Sequence, residues 1–151
     1  MKLEDAIKTT RFTNEKHRAS LNVIYTAYWL KDQLSTAMKS NGITTEQYNI
    51  LRILKGKYPE KMCVKDISNR MIEKSSNVPR IIDRLVIKKL VKRSTSRQDK
   101  RETLVALTES GIKLLTDSNE IVNNVNETYI NLTEEEAQNL NNLLEKMRNT
   151  L

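Results

Sequence analysis

The sequence predicts a mainly α-helical fold carrying one small β-hairpin, and three observations predict it. Only three Gly and two Pro occur in 151 residues, which is too little punctuation for a chain built of short strands. Apolar residues recur at three-four spacing over most of the length. One stretch, residues 90–107, instead alternates on either side of a run of charges. The length is that of one compact domain able to bury a core.

Leu21, Ile24, Tyr28, Leu30, Leu34 and Met38 keep helical spacing, so residues from about 18 to 40 read as one helix ended by Asn41-Gly42. Thr44 followed by Gln47 fits a capping box, in which a hydroxyl takes the third free amide and the Gln side chain reaches back. The helix it opens buries Ile50, Leu51 and Leu54 and stops near Gly56, with Pro59 beyond. Val64, Ile67 and Met71 mark a short third helix, and the turn 72–75 leads into a fourth, from about Ser76 to Lys89. Ser75 or Ser76 supplies its cap, and Pro79 falls in the first turn, where a missing N–H costs least.

The fourth helix has two stripes. Val78, Ile81, Ile82 and Leu85 share one side, while Asn77, Arg80, Arg84 and Lys88 fall within about 80° of arc beside them. A helix anchored by its apolar stripe, following a short helix and a tight turn, makes a helix-turn-helix whose second helix enters a major groove. Leu90 to Ser94 and Glu102 to Leu107 read as two strands, with Thr103, Val105 and Leu107 on one face. The tip between them carries Arg97, Asp99, Lys100 and Arg101, and a hairpin directly after a helix-turn-helix is a wing. Such a tip reaches phosphates or a narrow minor groove, where negative potential attracts Arg.

A long helix follows over residues 109–132, with Leu115, Val122, Val125, Tyr129 and Leu132 on one side. Thr133 and Glu136 form a second capping box, and Ala137, Leu140, Leu144, Met147 and Leu151 continue at three-four spacing. Residues 1–20 and 109–151 are too long and too one-sided to be consumed by a small winged unit. The division expected is a helical arm over 1–42, a winged helix-turn-helix over 43–108 and C-terminal helices over 109–151, all in one compact domain. The arm and the C-terminal helices are assigned to dimerisation, with internal packing of the terminal seam as the alternative.

Charge sharpens the functional reading. Residues 74–101 hold ten Lys and Arg against two Asp, whereas residues 102–151 hold three against nine Asp and Glu. That basic block, carrying more positive charge than the whole chain's net of +7, is the footprint of a polyanion-binding face. One Cys and one His leave neither a disulfide nor a conventional metal site, so no metal or cofactor is expected. The three glycines stand apart and build no phosphate loop, and no catalytic constellation presents itself, so the chain reads as a non-enzyme. Without a signal-like or membrane-spanning run of apolar residues, the expected location is the cytoplasm and no membrane is expected as a partner.

Asp99-x-Arg101, Val105-x-Leu107-Thr108 and Gly111 reproduce a D-x-R-x3-V-x-L-T-x2-G pattern. With Gly42-Ile43-Thr44, Ile82-Asp83-Arg84-Leu85 and Leu90-Val91-x-Arg93, this resembles the MarR family of bacterial winged-helix transcriptional regulators over essentially residues 18–151. The resemblance implies a homodimer on a pseudo-palindromic double-stranded operator, a repressor released by a small ligand or another signal. It also implies that Arg101 probes the minor groove and that Asp99 orients it. Lys89 stands where the family usually has Gly, which predicts a slightly different exit from the recognition helix, and Pro79 is less usual in that helix. Some similar proteins sense oxidants through a Cys near the start of the first long helix. Cys63 precedes the third helix instead, where a small thiol packs well.

The DNA-contacting set expected is therefore Ser75, Ser76, Asn77, Arg80, Arg84, Lys88, Arg97, Lys100 and Arg101, with Asp99 organising the wing. Tyr25, Tyr28 and Trp29 are the candidate lining of a pocket for an aromatic small-molecule effector, between the arm and the winged unit; packing in a core or interface is the alternative for each. His17 reads as a surface residue. A winged helix can also serve as a protein-binding module whose basic face meets an acidic partner. Arg101 paired with Asp99 at the tip separates the two readings, since a protein-binding wing has no need of that pair.

Overall fold

The computed structural model describes residues 1–74 and 77–149. A short helix α1 (Leu3–Ile7) precedes the long α2 (Glu15–Met38), and a single 3-10 turn (Lys39–Asn41) leads to α3 (Thr45–Lys55). Then come β1 (Met62–Cys63), α4 (Val64–Arg70), α5 (Val78–Ile87), β2 (Val91–Thr95), β3 (Thr103–Leu107), α6 (Glu109–Tyr129) and α7 (Glu134–Arg148). The fold is the mainly helical winged helix-turn-helix expected, with a three-stranded antiparallel sheet in the order β1-β3-β2. No described helix is long and apolar enough to cross a membrane.

Local chemistry sets the boundaries. Asn14 caps α2 by accepting the His17 amide at 2.9 Å, so the helix begins at Glu15, ahead of the expected start near residue 18. Gly42, at φ 64°, then turns the chain in the left-handed region. Both expected capping boxes form, Thr44 with Gln47 at α3 and Thr133 with Glu136 at α7. In β2–β3 the register pairs Val91 with Leu107, Arg93 with Val105 and Thr95 with Thr103. The core gathers Met38 of α2, Ile50, Leu51 and Leu54 of α3, Ile67 of α4, Val78, Ile82 and Leu85 of α5, Val91, Val105 and Leu115, all but closed to solvent. By contrast, α7 buries no residue at all.

The exit from α5 corrects the sequence expectation. Lys89 takes the left-handed conformation a Gly would have, φ 59°, rather than a different route. Its N–H donates to the Val86 carbonyl at 2.8 Å, and the Leu90 N–H to the Leu85 carbonyl at 3.0 Å, the two bonds of a Schellman cap. With its N–H spent on that cap, Leu90 leaves β2 to begin at Val91. A side chain in the left-handed region costs about 1 kcal/mol. Lys89→Gly should therefore raise the midpoint of thermal unfolding by roughly 2–4 °C, measured by circular dichroism; an unchanged or lower midpoint would mean that the Lys side chain repays the backbone.

Candidate nucleic-acid interface

The exposed face of α5 stands on a buried one. Val78, Ile82 and Leu85 are inaccessible to solvent, while Arg80 and Arg84 are exposed and their side chains make no hydrogen bond or ion pair among the described residues. Asn77 lies exposed at the N-terminal end of the helix, with Pro79 in its first turn. Ser75 and Ser76, expected as caps and contacts, lie outside the described residues. Lys88 does not join the open stripe. Its ammonium donates to the Gly42 carbonyl and, at 3.3 Å, to Oε1 of buried Gln47, closing α5 onto the start of α3.

The wing tip is built around Ser96, which is buried. Its Oγ accepts the amides of Gln98 and Asp99, both at 3.3 Å, and its own N–H donates to the Glu102 carbonyl at 2.9 Å. Asp99 Oδ1 then accepts the Arg101 amide at 2.9 Å and its Nε at 3.3 Å. Backbone and guanidinium are held by one carboxylate oxygen, yet the Arg101 side chain is 93% exposed. Asp99 thus touches both the backbone and the side chain of Arg101. Arg97 and Lys100 flank it, both exposed.

Two braces set these elements against each other, and neither was read from sequence. Arg93 of β2 pairs with Asp83 of α5 and donates to the Pro79 carbonyl at 3.1 Å, tying the wing to the recognition helix. Lys31 of α2 donates to Glu73 at 2.7 Å and lies 3.5 Å from Glu46, tying the long helix to the turn that enters α5. The Glu73 hydrogen bond raises the Lys31 ammonium above its usual value. Burial pushes the Glu46 carboxyl up, but hydrogen bonds from its own amide, Thr44 and Lys31 outweigh it and leave the group below its usual value.

Half-buried Cys63 caps α4, accepting the Asp66 amide at 3.4 Å. That bond favours a thiolate, yet desolvation and the neighbouring Asp66 and Glu102 together push the thiol up, away from the nucleophilic form. Tyr25 and Trp29 line a pocket of about 310 Å³ with Met1, Leu3, Asn22 and Thr26, between α1 and α2. This places it within the arm, where a pocket against the winged unit was expected. Tyr28 does not join it: four residues separate Tyr25 from Trp29, about 40° of arc, whereas Tyr28 lies about 100° from Trp29 and is 71% exposed. No group of three or more His, Cys, Asp or Glu able to hold a metal ion occurs among the described residues.

Residues 43–111 match the model of a winged helix DNA-binding domain. The HTH-type transcriptional regulator MhqR of Bacillus subtilis (strain 168) is 28% identical over 90 residues, which span 58% of this chain and 59% of that regulator's length. The S. aureus MepR–DNA complex superposes with a TM-score of 0.79 at 27% identity, over 93% of this chain and 100% of the other. A MarR transcription factor from Planctomyces limnophilus is 30% identical over 93% of this chain and its own full length, with a TM-score of 0.71. With the wing motif intact and that likeness running from end to end of the relative, the chain belongs to the MarR family of transcriptional regulators.

Proposed function

We propose that the protein is a sequence-specific double-stranded DNA-binding regulator, a ligand-responsive repressor working in the cytoplasm as a homodimer on a pseudo-palindromic operator. The observation that carries this is Arg101, held by Asp99 yet almost wholly exposed, beside a recognition helix whose Arg80 and Arg84 have no partner among the described residues. The charge of Arg80 and Arg84, left unmatched on a rigid support, is what a phosphate or base edge can use without first breaking an ion pair. MepR, similar over its full length, has been solved on DNA. The Tyr25–Trp29 pocket is the proposed effector site, suited by its aromatic walls to a flat apolar molecule. Arg97, Lys100, Asn77 and the outward side of α5 complete the contact set, with Lys88 holding the helix on its support.

Asp99→Ala is the decisive test, because it removes a negative charge from a DNA-facing loop. Simple charge counting predicts tighter binding. Loss of the two hydrogen bonds to Arg101 predicts weaker binding, by roughly 1 kcal/mol or five-fold per wing. Fluorescence anisotropy on a duplex selected by the protein from random sequence should show the loss, greatest with A·T-rich flanks, and Arg101→Ala should deepen it. Arg80→Ala should instead relax preference at one base pair per half-site, worth about 1–3 kcal/mol. A tighter-binding Asp99→Ala overturns the role given to Asp99, and a parent whose affinity barely responds to salt, in place of a log–log slope of roughly 6 or more, points to an acidic protein partner.

A further inference from the structure

We infer that the cleft between the start of α5 and the tip-proximal flank of the wing is a third DNA contact, a seat for the sugar-phosphate strand between the two grooves, with Lys65 as the group that neutralises it. The inference rests on the DNA-binding reading above. A protein that places one element in a major groove and another in the adjacent minor groove must straddle the backbone strand that separates them. Here those elements are α5 and the Arg101 tip. A cleft of about 330 Å³ is lined by both at once, by Pro79 of α5 and by Arg93, Arg101 and Thr103 of the wing, with Cys63 of β1 and Val64 and Lys65 of α4 along another wall.

The charges in that cleft are unequal in use. Arg93 is matched by Asp83 and by the Pro79 carbonyl, and it braces the two walls at a fixed separation. Arg101 is matched by Asp99. Glu102 also lines the cleft and opposes an anion. Lys65 is exposed, and its ammonium makes no hydrogen bond or ion pair among the described residues. It is the unmatched cation there, so the attraction of the seat for a phosphate depends on it. Nothing in the sequence sets it apart: it is one Lys in a segment that also holds Lys55, Lys57 and Lys61.

Lys61 supplies the internal control. It is bonded at 3.0 Å to Ser94, which neighbours Arg93 along β2 and therefore faces the opposite side of the sheet. Charge counting treats Lys61 and Lys65 alike, whereas the seat requires only Lys65. Lys65→Ala should lower the magnitude of the salt slope by about 1.8 per dimer, one phosphate on each half-site. Affinity near 0.1 M salt should fall by roughly tens of fold, equally for the selected duplex and for one of unrelated sequence. Lys65→Arg should bind like the parent, and Lys61→Ala should keep the parent slope. An unchanged slope for Lys65→Ala, an equal drop for Lys61→Ala, or a loss confined to the selected duplex each overturns the seat. A parent that binds neither duplex overturns the DNA reading itself, which is a different result.

Discussion

Replacing Gly111 by Ala is expected to destabilise the fold by about 3 kcal/mol, with a fall in melting midpoint of roughly 6–12 °C. Helix propensity alone predicts the opposite sign, since Ala exceeds Gly by about 1 kcal/mol inside a helix. The deciding fact is close approach. A Cβ at Gly111 would stand 2.1 Å from the Leu90 carbonyl oxygen, 3.1 Å from its carbon and 3.3 Å from Leu107 Cδ2. That oxygen cannot move freely. It accepts the Thr108 amide at 3.2 Å and shares the Thr108 hydroxyl proton, at 3.0 Å, with the Lys89 carbonyl at 2.8 Å, and the same hydroxyl accepts the Gly111 amide at 3.0 Å. Leu90 is itself pinned by its cap bond to Leu85. Relief therefore means lifting α6 off the junction of α5 and β2. Gly56→Ala is the comparison, because its Cβ would meet nothing closer than 3.5 Å. It should melt with the parent or slightly above; a Gly111→Ala protein that does the same would show the junction to be compliant.

The Thr108–Gly111 geometry explains why so much was legible from so short a motif. The helices announce themselves through period, and the caps at Thr44, Thr108 and Thr133 are local, reaching only three residues along the chain. What escaped is non-local or short. Two residues of β1 pair with Leu104 and Val105 some forty positions away, and two residues carry no alternation. The five-residue α1 is below the length at which a period can be recognised. Long side chains mislead for another reason. The arc containing Arg80, Arg84 and Lys88 is correctly placed, but a flexible four-carbon stem lets Lys88 fold back to Gly42 while the two Arg remain open. Arg93 counts as one more charge in a basic run until the fold brings Asp83 and Pro79 to it. Spacing locates a face, but the partners of a charge on that face come from elements distant in sequence.

The largest effect is expected at residues that the isolated chain would rate as harmless. Leu140 is 44% exposed, Leu143 64% and Met147 54%, on a helix with no buried residue. Substitutions at such surface positions change stability by about 0.5 kcal/mol or less. Yet Leu140 and Leu144 face Ala19, Val23, Ala27 and Leu30 of α2 across an apolar groove of about 480 Å³, and Val23 and Ile24 beside it are exposed too. A contiguous apolar surface of this kind calls for a cover, and the proposed two-fold arrangement of the arms would supply one from identical residues. Each leucine then counts twice. At about 1.5–3 kcal/mol per buried side chain, Leu140→Asp with Leu143→Asp removes roughly 6–12 kcal/mol from the pair, enough to take a nanomolar dimer beyond micromolar concentration. Sedimentation should move from twice the 17.5 kDa chain mass to the chain mass itself, with helical content largely kept because the core around Ile50, Ile82 and Val105 is untouched. DNA affinity should fall by about a hundred-fold or more, since two tethered half-site contacts become two independent ones. A double variant that sediments as the parent does, or a parent already monomeric at micromolar concentration, would mean that α7 has some other cover and that each winged unit meets DNA alone.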